Sequence, residues 1–338
     1  MAKITEYLEI ILEGNNLTFE QAKALLDTVF EGTVSDVQIA AFLAAMRVKK
    51  ATPMEIAGLA KSLRDHVVAV DTKVDNLIDT CGTGGASVKT FNVSTAAALV
   101  AAGAGAHVAK HGNRAITSKC GSADVLAELG VKIDCGPEVV VNCIEGANIG
   151  FMFAPMFHPA MRFVQPIRKS LDFMTAFNIL GPLANPAGVK SQVIGVANAG
   201  LVDSIVQSLK ILGTKRAMVV HSEGLDEIST CNITKISLLA DDDIKKIELN
   251  PAEFGIRKAS IEELKAGDST ANAKAIREIL NGKDKGAKKD IVILNAAAAI
   301  IVAGMAADFK KAIKTAENSI DSGKAAGCLE RLIRISNI

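Results

Sequence analysis

The spacing of apolar residues changes near Val74, and this change constrains the fold more than any other feature. Before it, apolar residues recur at helical spacing, and after it short strand-like runs alternate with helix-like runs. Such alternation is typical of a mostly parallel sheet covered by helices. We therefore predict a small N-terminal helical domain over residues 1–70 and a larger α/β domain with a mostly parallel central sheet over residues 71–338.

The predicted helical domain has clear helix starts. Thr18 is followed three residues later by glutamine, as in a capping box, and Thr52 precedes a proline at the first helical position. Thr33 or Ser35 can cap the helix between them. That helix carries the run Ile39–Met46, which is apolar nearly all round. A helix of this kind needs burial on two sides, so we expect a homodimer formed through the N-terminal helices.

The α/β part of the chain contains short runs of apolar residues at strand spacing and at helical spacing. The predicted strands are Leu77–Asp79, Val108–Lys110, Lys132–Asp134, Gly150–Phe153, Val193–Ala197 and Ala217–His221. The predicted helices between them are Thr95–Ala102, Ala123–Leu129, Pro137–Glu145 and Val202–Leu212. Asp241–Asp243, followed by lysines, indicates a hairpin turn. Parallel sheets bind ligands at the carboxyl ends of their strands, so we expect a site in the loops there.

Five of the eight prolines lie between Ala154 and Pro186, in a segment that fits neither period for long. We predict that this segment crosses between the two domains, with part of residues 160–190 packing on the helical domain as a hinge. Closure about such a hinge would exclude water from a site between the domains.

The bulk composition excludes several classes of protein. The net charge is +1, so no global field attracts nucleic acid or an anionic membrane. The longest apolar stretch, Asn92–Val108, is too short and too rich in alanine and glycine to span a bilayer. The six cysteines form no CxxC pair, so zinc-ligand spacing is absent and cytoplasmic thiols are expected.

A glycine-rich turn, Asp79–Gly85, directly follows a predicted strand and leads to Asn92–Thr95, which can cap the next helix. Its backbone N–H groups, the helix N-terminus and the hydroxyls of Ser94 and Thr95 would together suit an anion. An ordinary tight turn fits the same spacing. Both the P-loop pattern and the GxGxxG dinucleotide pattern are absent.

The run Lys110–Arg114 follows the next predicted strand. It supplies two permanent cations, the amide of Asn113 and a glycine, with Ser118 and Ser122 further on. A solvated basic loop is the alternative, but the nearby glycine-rich turn favours a binding site. Together the two loops predict a site for a doubly anionic phosphate ester, such as a phosphorylated sugar or nucleotide.

Asp226 and Glu227 form an adjacent acid pair after a predicted strand. Two such oxygen ligands suit Mg²⁺ bound through substrate phosphates and water, but the residues by themselves favour an exposed acidic turn. His107, His111 and His158 are candidate bases, but their spacing supports neither a Ser-His-Asp nor a Cys-His arrangement.

Six motifs stand in order between residues 79 and 230. They are DTCGTGG at 79–85, NVSTAAA at 92–98, KHGNRAITSKCGSADVLAELG at 110–130, FAPMFHPAMRFVQPIRKSL at 153–171, FNILGPLANP at 177–186 and GLDEIST at 224–230. Together they resemble the motifs of the anthranilate phosphoribosyltransferase family of tryptophan biosynthesis. The helical start and the total length also fit. The C-terminal part of the chain carries no motif of this kind.

The resemblance implies the fold of the class II nucleoside phosphorylases and a homodimeric, Mg²⁺-dependent pentosyltransferase. In the implied reaction the amine of anthranilate attacks C1 of 5-phosphoribosyl-1-pyrophosphate, and pyrophosphate leaves. Two alternatives stay open. A pyrimidine nucleoside phosphorylase-like enzyme would use free phosphate and a nucleoside. A non-catalytic nucleic-acid-binding relative would have a basic groove and decayed phosphate loops.

Carried over position by position, the resemblance implies a role for each matching residue. The catalytic residues would be Lys110, Asn113 and Arg168. The phosphoribosyl pyrophosphate would be bound by Gly82, Gly85, Ala86, Thr90, Asn92, Val93, Ser94, Thr95, Lys110, His111, Gly112, Asn113, Arg114, Ala115, Ile116, Thr117, Ser118 and Ser122. Anthranilate would contact Gly82, Asn113 and Arg168, with His158 and Pro182 near its access path. The Mg²⁺ ligands would be Ser94, Asp226 and Glu227.

The chain departs from the family pattern at two positions. The family most often has aspartate where Ala86 stands, and Gly-x-Arg-Thr where this chain has Asp172–Thr175. The first change removes a carboxylate near the ribose and Mg²⁺, and the second removes a guanidinium at Met174, near Arg168. Neither change alters the catalytic residues, so we expect activity.

Overall fold

The computed structural model describes residues 4–115 and 119–338. The chain begins with the helices α1 (Ile4–Leu12), α2 (Phe19–Phe30), α3 (Asp36–Lys49) and α4 (Pro53–Asp65). Thr18, Ser35 and Thr52 each accept a hydrogen bond from the backbone N–H three residues on, and each forms a capping box. The predicted helix starts are therefore confirmed, and Ser35, not Thr33, caps α3.

A single mixed sheet follows the N-terminal helices. Its strands are β1 (Ile78–Gly82), β2 (Val108–Gly112), β3 (Ile149–Phe153), β4 (Ser191–Gly195), β5 (Arg216–His221), β6 (Thr234–Ala240) and β7 (Asp243–Leu249). Their order is β3-β2-β1-β4-β5-β6-β7. Strands β1 to β5 pair in parallel, and β6 and β7 add an antiparallel hairpin at one edge. The predicted fold class is confirmed.

The predicted strand at Lys132–Asp134 is wrong. The backbone N–H of Lys132 donates to the hydroxyl of Ser336 at 3.2 Å, so this segment pairs with the C-terminal helix and not with the sheet. The sequence pattern also does not predict β6 and β7. The turn at Asp241–Asp243 between them is confirmed, and its first two residues adopt the left-handed region with φ of 51° and 61°.

Helices cover both faces of the sheet. They are α5 (Val93–Gly103), α6 (Ser122–Glu128), α7 (Pro137–Ala147), α8 (Ala154–Phe157), α9 (Gln165–Leu171), α10 (Phe177–Leu183), α11 (Val202–Ile211), α12 (Ser269–Leu280), α13 (Ala287–Val302), α14 (Phe309–Asp321) and α15 (Lys324–Ser336). One apolar core packs α5 and α12 to α15 on one face. A second packs α1 to α4 and α9 to α11 on the other. Among the described helices, none combines the length and apolar character that a bilayer span requires.

The proline-rich segment packs onto the N-terminal helices. Val164, Ile167 and Phe177 are buried in the same core as α2 to α4. The Arg64 guanidinium of α4 donates to the carbonyl of Leu183 at the end of α10, at 2.6 Å. These contacts join the segment to the helical layer.

Candidate active site

The loop that follows β5 carries the acid pair Asp226 and Glu227, and we call it the acid loop. It lies across the carboxyl ends of β1 and β4. An ideal Cβ at Gly195, the last residue of β4, would lie 1.6 Å from the carbonyl oxygen of Asp226. A Cβ at Gly82, the last residue of β1, would lie 2.7 Å from Oδ2 of Asp226. The loop approaches this closely because both positions lack a side chain. The structure therefore brings the predicted acid pair against the predicted glycine-rich turn.

Both carboxylates of the acid pair bind backbone N–H groups at this edge. Asp226 accepts a hydrogen bond from Gly84 in the glycine-rich turn, and Glu227 accepts one from Ser94 in the first turn of α5. Burial raises the pKa of Asp226, and burial together with the nearby Asp226 charge raises the pKa of Glu227 to about 8. Two half-buried carboxylates under this mutual repulsion would be stabilised by a bound cation.

The start of α5 carries polar atoms without partners. Asn92 occupies the N-cap position, but its side chain does not bond the helix as predicted, and its Nδ2 donates to the carbonyl of Cys120 at 3.3 Å. Its Oδ1 and the hydroxyl of Thr95 are buried, and no described residue bonds to them. The side chain of Val93 is in the core, so only its backbone faces a ligand. A polar ligand at this helix N-terminus would complete the hydrogen bonding.

The structure buries the side chain of Lys110. The residue is 1% exposed, and its ammonium group donates to the carbonyl of Thr80 in the neighbouring strand β1 at 2.5 Å. Burial lowers the pKa of Lys110, and the charges of Asp79 and Glu227 oppose this change. The contact with the substrate phosphates that the resemblance implies for Lys110 stays a prediction, because here the side chain is buried beside β1. Its charge acts on the site by opposing the rise in the pKa of Glu227.

The loop after β2 is held by Asp124 of α6. One carboxylate oxygen accepts the backbone N–H groups of Ala115 and Gly121, both at 2.9 Å, and the other accepts the guanidinium of Arg114 at 3.0 Å. Arg114 is thus already in an ion pair, although it stays largely exposed. The predicted site residues that lie outside the described part of the chain are Ile116, Thr117 and Ser118.

The end of β2 touches the start of α6. The hydroxyl of Ser122 donates to the carbonyl of Asn113 at 3.4 Å, and the Asn113 Oδ1 accepts the N–H of Arg114 at 2.8 Å. A Cβ at Gly112 would lie 2.1 Å from Oγ of Ser122. The structure thus groups Gly112, Asn113 and Ser122 beside the glycine-rich turn of the neighbouring strand β1.

His111 and His158 form a buried pair whose Nε2 atoms are 3.1 Å apart. Burial, together with the facing His158 ring, lowers the pKa of His111 to about 3, and burial lowers the pKa of His158 to about 4. Both rings are therefore neutral at pH 7, and one donates to the other. The carbonyl of Gly181 also accepts a hydrogen bond from His111, and Pro182 is the next residue in the chain.

Arg168 lies on α9 and faces α10. Its guanidinium donates to Oε1 of Gln165 at 3.2 Å and stacks 5.5 Å from the ring centre of Phe177. Burial lowers its pKa. Because α10 also carries Gly181, Arg168 and the histidine pair contact opposite ends of one short helix.

The proline-rich segment also touches the glycine-rich turn. The thioether of Met174 lies 3.4 Å from the position of an ideal Cβ at Gly85. Further along the loop between β1 and α5, Ala86 is buried and Thr90 is half-buried. The departure from the family pattern at Met174 therefore lies directly against the predicted phosphate loop.

Several supporting residues are missing from the predicted site. Asp79 accepts the backbone N–H of His111 at 3.3 Å and the side-chain amide of Asn185 at 2.8 Å, which ties β1 to β2. Asn272 of α12 accepts the backbone N–H of Asn92 at 2.9 Å. Asp79 and Asn185 lie within two of the sequence motifs, which is a usable signal for such a role. Asn272 has no signal in the sequence.

Two family models match the chain. One, described as the helical bundle domain of a glycosyl transferase family, matches residues 5–67. The other, described as the a/b domain of a glycosyl transferase family, matches residues 74–326. The fold is therefore that of a glycosyl transferase.

The similar proteins identify the family more closely. The chain is 48% identical to the anthranilate phosphoribosyltransferase of Methanocorpusculum labreanum, over 98% of each chain. The crystal structure of the Thermus thermophilus enzyme matches with a TM-score of 0.93 and 38% identity, over 98% of this chain and 99% of that one. The Saccharomyces cerevisiae enzyme in complex with PRPP and Mg matches with a TM-score of 0.90 and 28% identity, over 99% and 98%. The chain belongs to the anthranilate phosphoribosyltransferase family.

The family, the pentosyltransferase activity and the place in tryptophan biosynthesis that the sequence predicts are thereby confirmed. Neither the nucleoside phosphorylase nor the nucleic-acid-binding alternative gains support from these similar proteins.

Gly195→Ala is expected to lower phosphoribosyl transfer about 100-fold, because displacing a catalytic loop by about 1 Å has an effect of this size. The added Cβ would overlap the Asp226 carbonyl, so the acid loop must move. Transfer is measured by the loss of anthranilate fluorescence, and folding by circular dichroism. Gly136→Ala is the control, since its Cβ would meet nothing within 4 Å. A folded Gly195→Ala protein with normal activity would contradict this role of the close approach.

Proposed function

We propose that transfer takes place at this edge of the sheet. The amine of anthranilate attacks C1 of 5-phosphoribosyl-1-pyrophosphate, N-(5-phosphoribosyl)anthranilate forms, and pyrophosphate leaves. The observation that carries the proposal is the meeting of the acid loop, the glycine-rich turn and the N-terminus of α5 at the carboxyl end of β1. Loops in this position of a parallel sheet commonly bind phosphorylated ligands. The complex of the yeast relative with PRPP and Mg supports the choice of donor.

The pyrophosphate and ribose would lie between two walls. The first wall would be formed by Gly82, Gly85, Ala86, Thr90, Asn92, Val93, Ser94 and Thr95. The second would be formed by His111, Gly112, Asn113, Arg114, Ala115, Ile116, Thr117, Ser118 and Ser122. Lys110 would act on the pyrophosphate through its charge, since its side chain is buried.

The donor set fits Mg²⁺. The carboxylates of Asp226 and Glu227 and the hydroxyl of Ser94 would supply hard oxygen ligands beside the pyrophosphate wall. Mg²⁺ commonly uses one or two carboxylates and takes its other ligands from substrate phosphates and water. In keeping with that mode, residues 4–115 and 119–338 hold no cluster of three or more His, Cys, Asp or Glu that would bind a metal alone. Bound there, Mg²⁺ would neutralise part of the pyrophosphate charge.

Anthranilate would be held on the other side by Arg168 and Asn113, with His158 and Pro182 along its access path. Arg168 is half-buried and its hydrogen-bond partner, Gln165, is neutral, so its charge is available to a carboxylate. The amine of anthranilate is a weak nucleophile because its lone pair is delocalised into the ring. Holding it in line with C1 is therefore the main task of these residues.

The reaction would proceed through an oxocarbenium-like transition state, with cleavage of the C1–O bond ahead of attack. Loop N–H groups and the α5 N-terminus would stabilise the negative charge that builds on pyrophosphate. Attack from the opposite face gives inversion at C1. No strong base is needed, because the nitrogen becomes acidic as it bonds. The pKa values of about 3 and 4 for His111 and His158 agree with this, since such rings are poor bases at pH 7.

Closure of the site would be carried by the hinge segment. Arg47 of α3 donates to the Met174 carbonyl and stacks 5.0 Å from the ring centre of Phe173. Since Met174 also contacts the turn at Gly85, a movement of α3 would be transmitted to the glycine-rich turn. We keep the division into residues 1–70 and 71–338, with residues 160–190 as hinge, as part of this proposal.

The enzyme would act as a cytoplasmic homodimer. Val37 and Val48 of α3 are 79% and 83% exposed, and Leu12 of the neighbouring α1 is 70% exposed. Val37, Ala41 and Val48 recur along one side of α3, so they form an apolar stripe that a second copy would cover. The absence of any disulfide among the described residues is compatible with a reducing compartment.

Removing both acid charges should abolish the Mg²⁺ response. The double variant Asp226→Asn/Glu227→Gln is expected to lose about 100-fold in turnover, because the charge that would hold the cation is gone. Initial rates are followed by anthranilate fluorescence over a Mg²⁺ titration. Asp241→Asn/Asp242→Asn, in the β6–β7 hairpin turn, is the matched control. An unchanged Mg²⁺ titration in the first variant would refute the metal assignment.

Arg168→Ala should mainly affect anthranilate. Loss of one charge-assisted hydrogen-bonded contact is expected to raise the KM for anthranilate about 10- to 100-fold, with little change in the KM for the sugar substrate. Arg162→Ala, which removes an arginine stacked on Phe163 in the same segment, is the control. If the anthranilate KM of Arg168→Ala equals that of the wild type, Arg168 does not bind this substrate.

Val48→Glu is expected to convert the dimer to a monomer, because a charge within an apolar interface is costly to bury. Molar mass is measured by light scattering after gel filtration. Ile233→Glu, at a 50% exposed apolar residue away from α3, should leave the mass unchanged. A monomeric wild type, or a dimeric Val48→Glu variant, would speak against this interface.

A further inference from the structure

A buried asparagine in helix α13 binds the residue that follows the acid pair. Asn295 is 3% exposed and lies in an otherwise apolar part of the helix. Its Oδ1 accepts the backbone N–H of Ile228 at 2.9 Å, and its Nδ2 donates to the carbonyl of Ile228 at 2.9 Å. Its Nδ2 also donates to the carbonyl of Ile291 at 2.8 Å. The side-chain amide therefore satisfies both backbone groups of one residue, as a neighbouring strand would.

The position of Ile228 gives this contact its significance. Ile228 directly follows Glu227, is fully buried, and lies between the end of β5 and the start of β6. Backbone groups buried outside a sheet need other partners. Asp226 is fastened to Gly84 and Glu227 to Ser94, so Asn295 supplies a third attachment on the remaining side of the acid loop.

The chemistry at this position calls for an amide. Aspartate offers acceptors only and would set a carboxylate against the carbonyl of Ile228. Leucine has a similar shape but leaves both backbone groups of Ile228 unpaired. A buried polar side chain in an apolar helix is unfavourable unless it is fully hydrogen-bonded, and Asn295 is.

We propose that Asn295 is a positioning residue for phosphoribosyl transfer: by binding the backbone of Ile228, its amide sets where Asp226 and Glu227 stand. The inference rests on the proposed role of the acid pair on the pyrophosphate side. It assigns a function to the C-terminal part of the chain, in which the sequence shows no motif. Asn295 and Glu227 also line the same small cavity of about 10 Å³ beside Ser94, so a shift of the amide is felt directly at the acid pair.

The test compares Asn295→Leu and Asn295→Ser with Ser336→Ala. Ser336 is also buried and binds a distant loop N–H, that of Lys132, but it lies away from the site. For each variant, kcat, both KM values, the Mg²⁺ concentration for half-maximal rate and the unfolding temperature are measured. Asn295→Leu is expected to lower kcat/KM for the sugar substrate about 10- to 100-fold and to raise the Mg²⁺ requirement, with the KM for anthranilate changed less than about 2-fold.

Asn295→Ser is smaller, leaves room for water, and should show the same pattern with a smaller loss, which keeps the test decisive if the leucine variant does not fold. Ser336→Ala should lose stability alone. A folded Asn295 variant with wild-type kinetics, or one whose two substrates are affected equally, overturns the inference while leaving the proposed function intact. A wild type that does not consume anthranilate with the sugar substrate would instead overturn the proposed function itself.

Discussion

The site depends on one steric constraint, the approach of the acid loop to the ends of β1 and β4. The Asp226 carbonyl oxygen lies where a Cβ at Gly195 would be, and the Asp226 carboxylate lies close to Gly82. This contact brings two acidic side chains to the glycine-rich turn and to the N-terminus of α5 at once. Without this close approach, the acid pair would lie in an exposed turn, which its sequence also suggests.

Three buried asparagine side chains bind the segments that come together at the glycine-ended strands. Asn185, Asn272 and Asn295 each bind backbone or carboxylate groups of the site from helices or loops far away in the chain. Loops at the ends of strands have backbone groups that no ladder satisfies, and leaving such groups unpaired in the interior would be costly. These asparagines therefore pair buried polar groups and at the same time tie the loops of the proposed site to distant parts of the chain.

The helical layer reaches the site through a short connection. Arg47 of α3 holds the Met174 carbonyl, and the Met174 side chain touches the turn at Gly85. At the other end of the same segment, Arg168 and the histidine pair both contact α10. The two substrates would thus be bound by parts of the chain that the hinge segment connects, which suits an enzyme that must exclude water.

The sequence alone determined that a helical start is followed by alternating helices and parallel strands, the capped starts of α2 to α4, and the family, because local periodicity and short motifs carry this information. Only the tertiary structure decided that Lys110 is covered, that Lys132–Asp134 pairs with the C-terminal helix, and that the neutral rings of His111 and His158 face each other. It also decided that Asn295 binds the backbone of Ile228, the residue after the acid pair. Burial and pairing depend on residues brought together from distant positions, and no local pattern records those contacts.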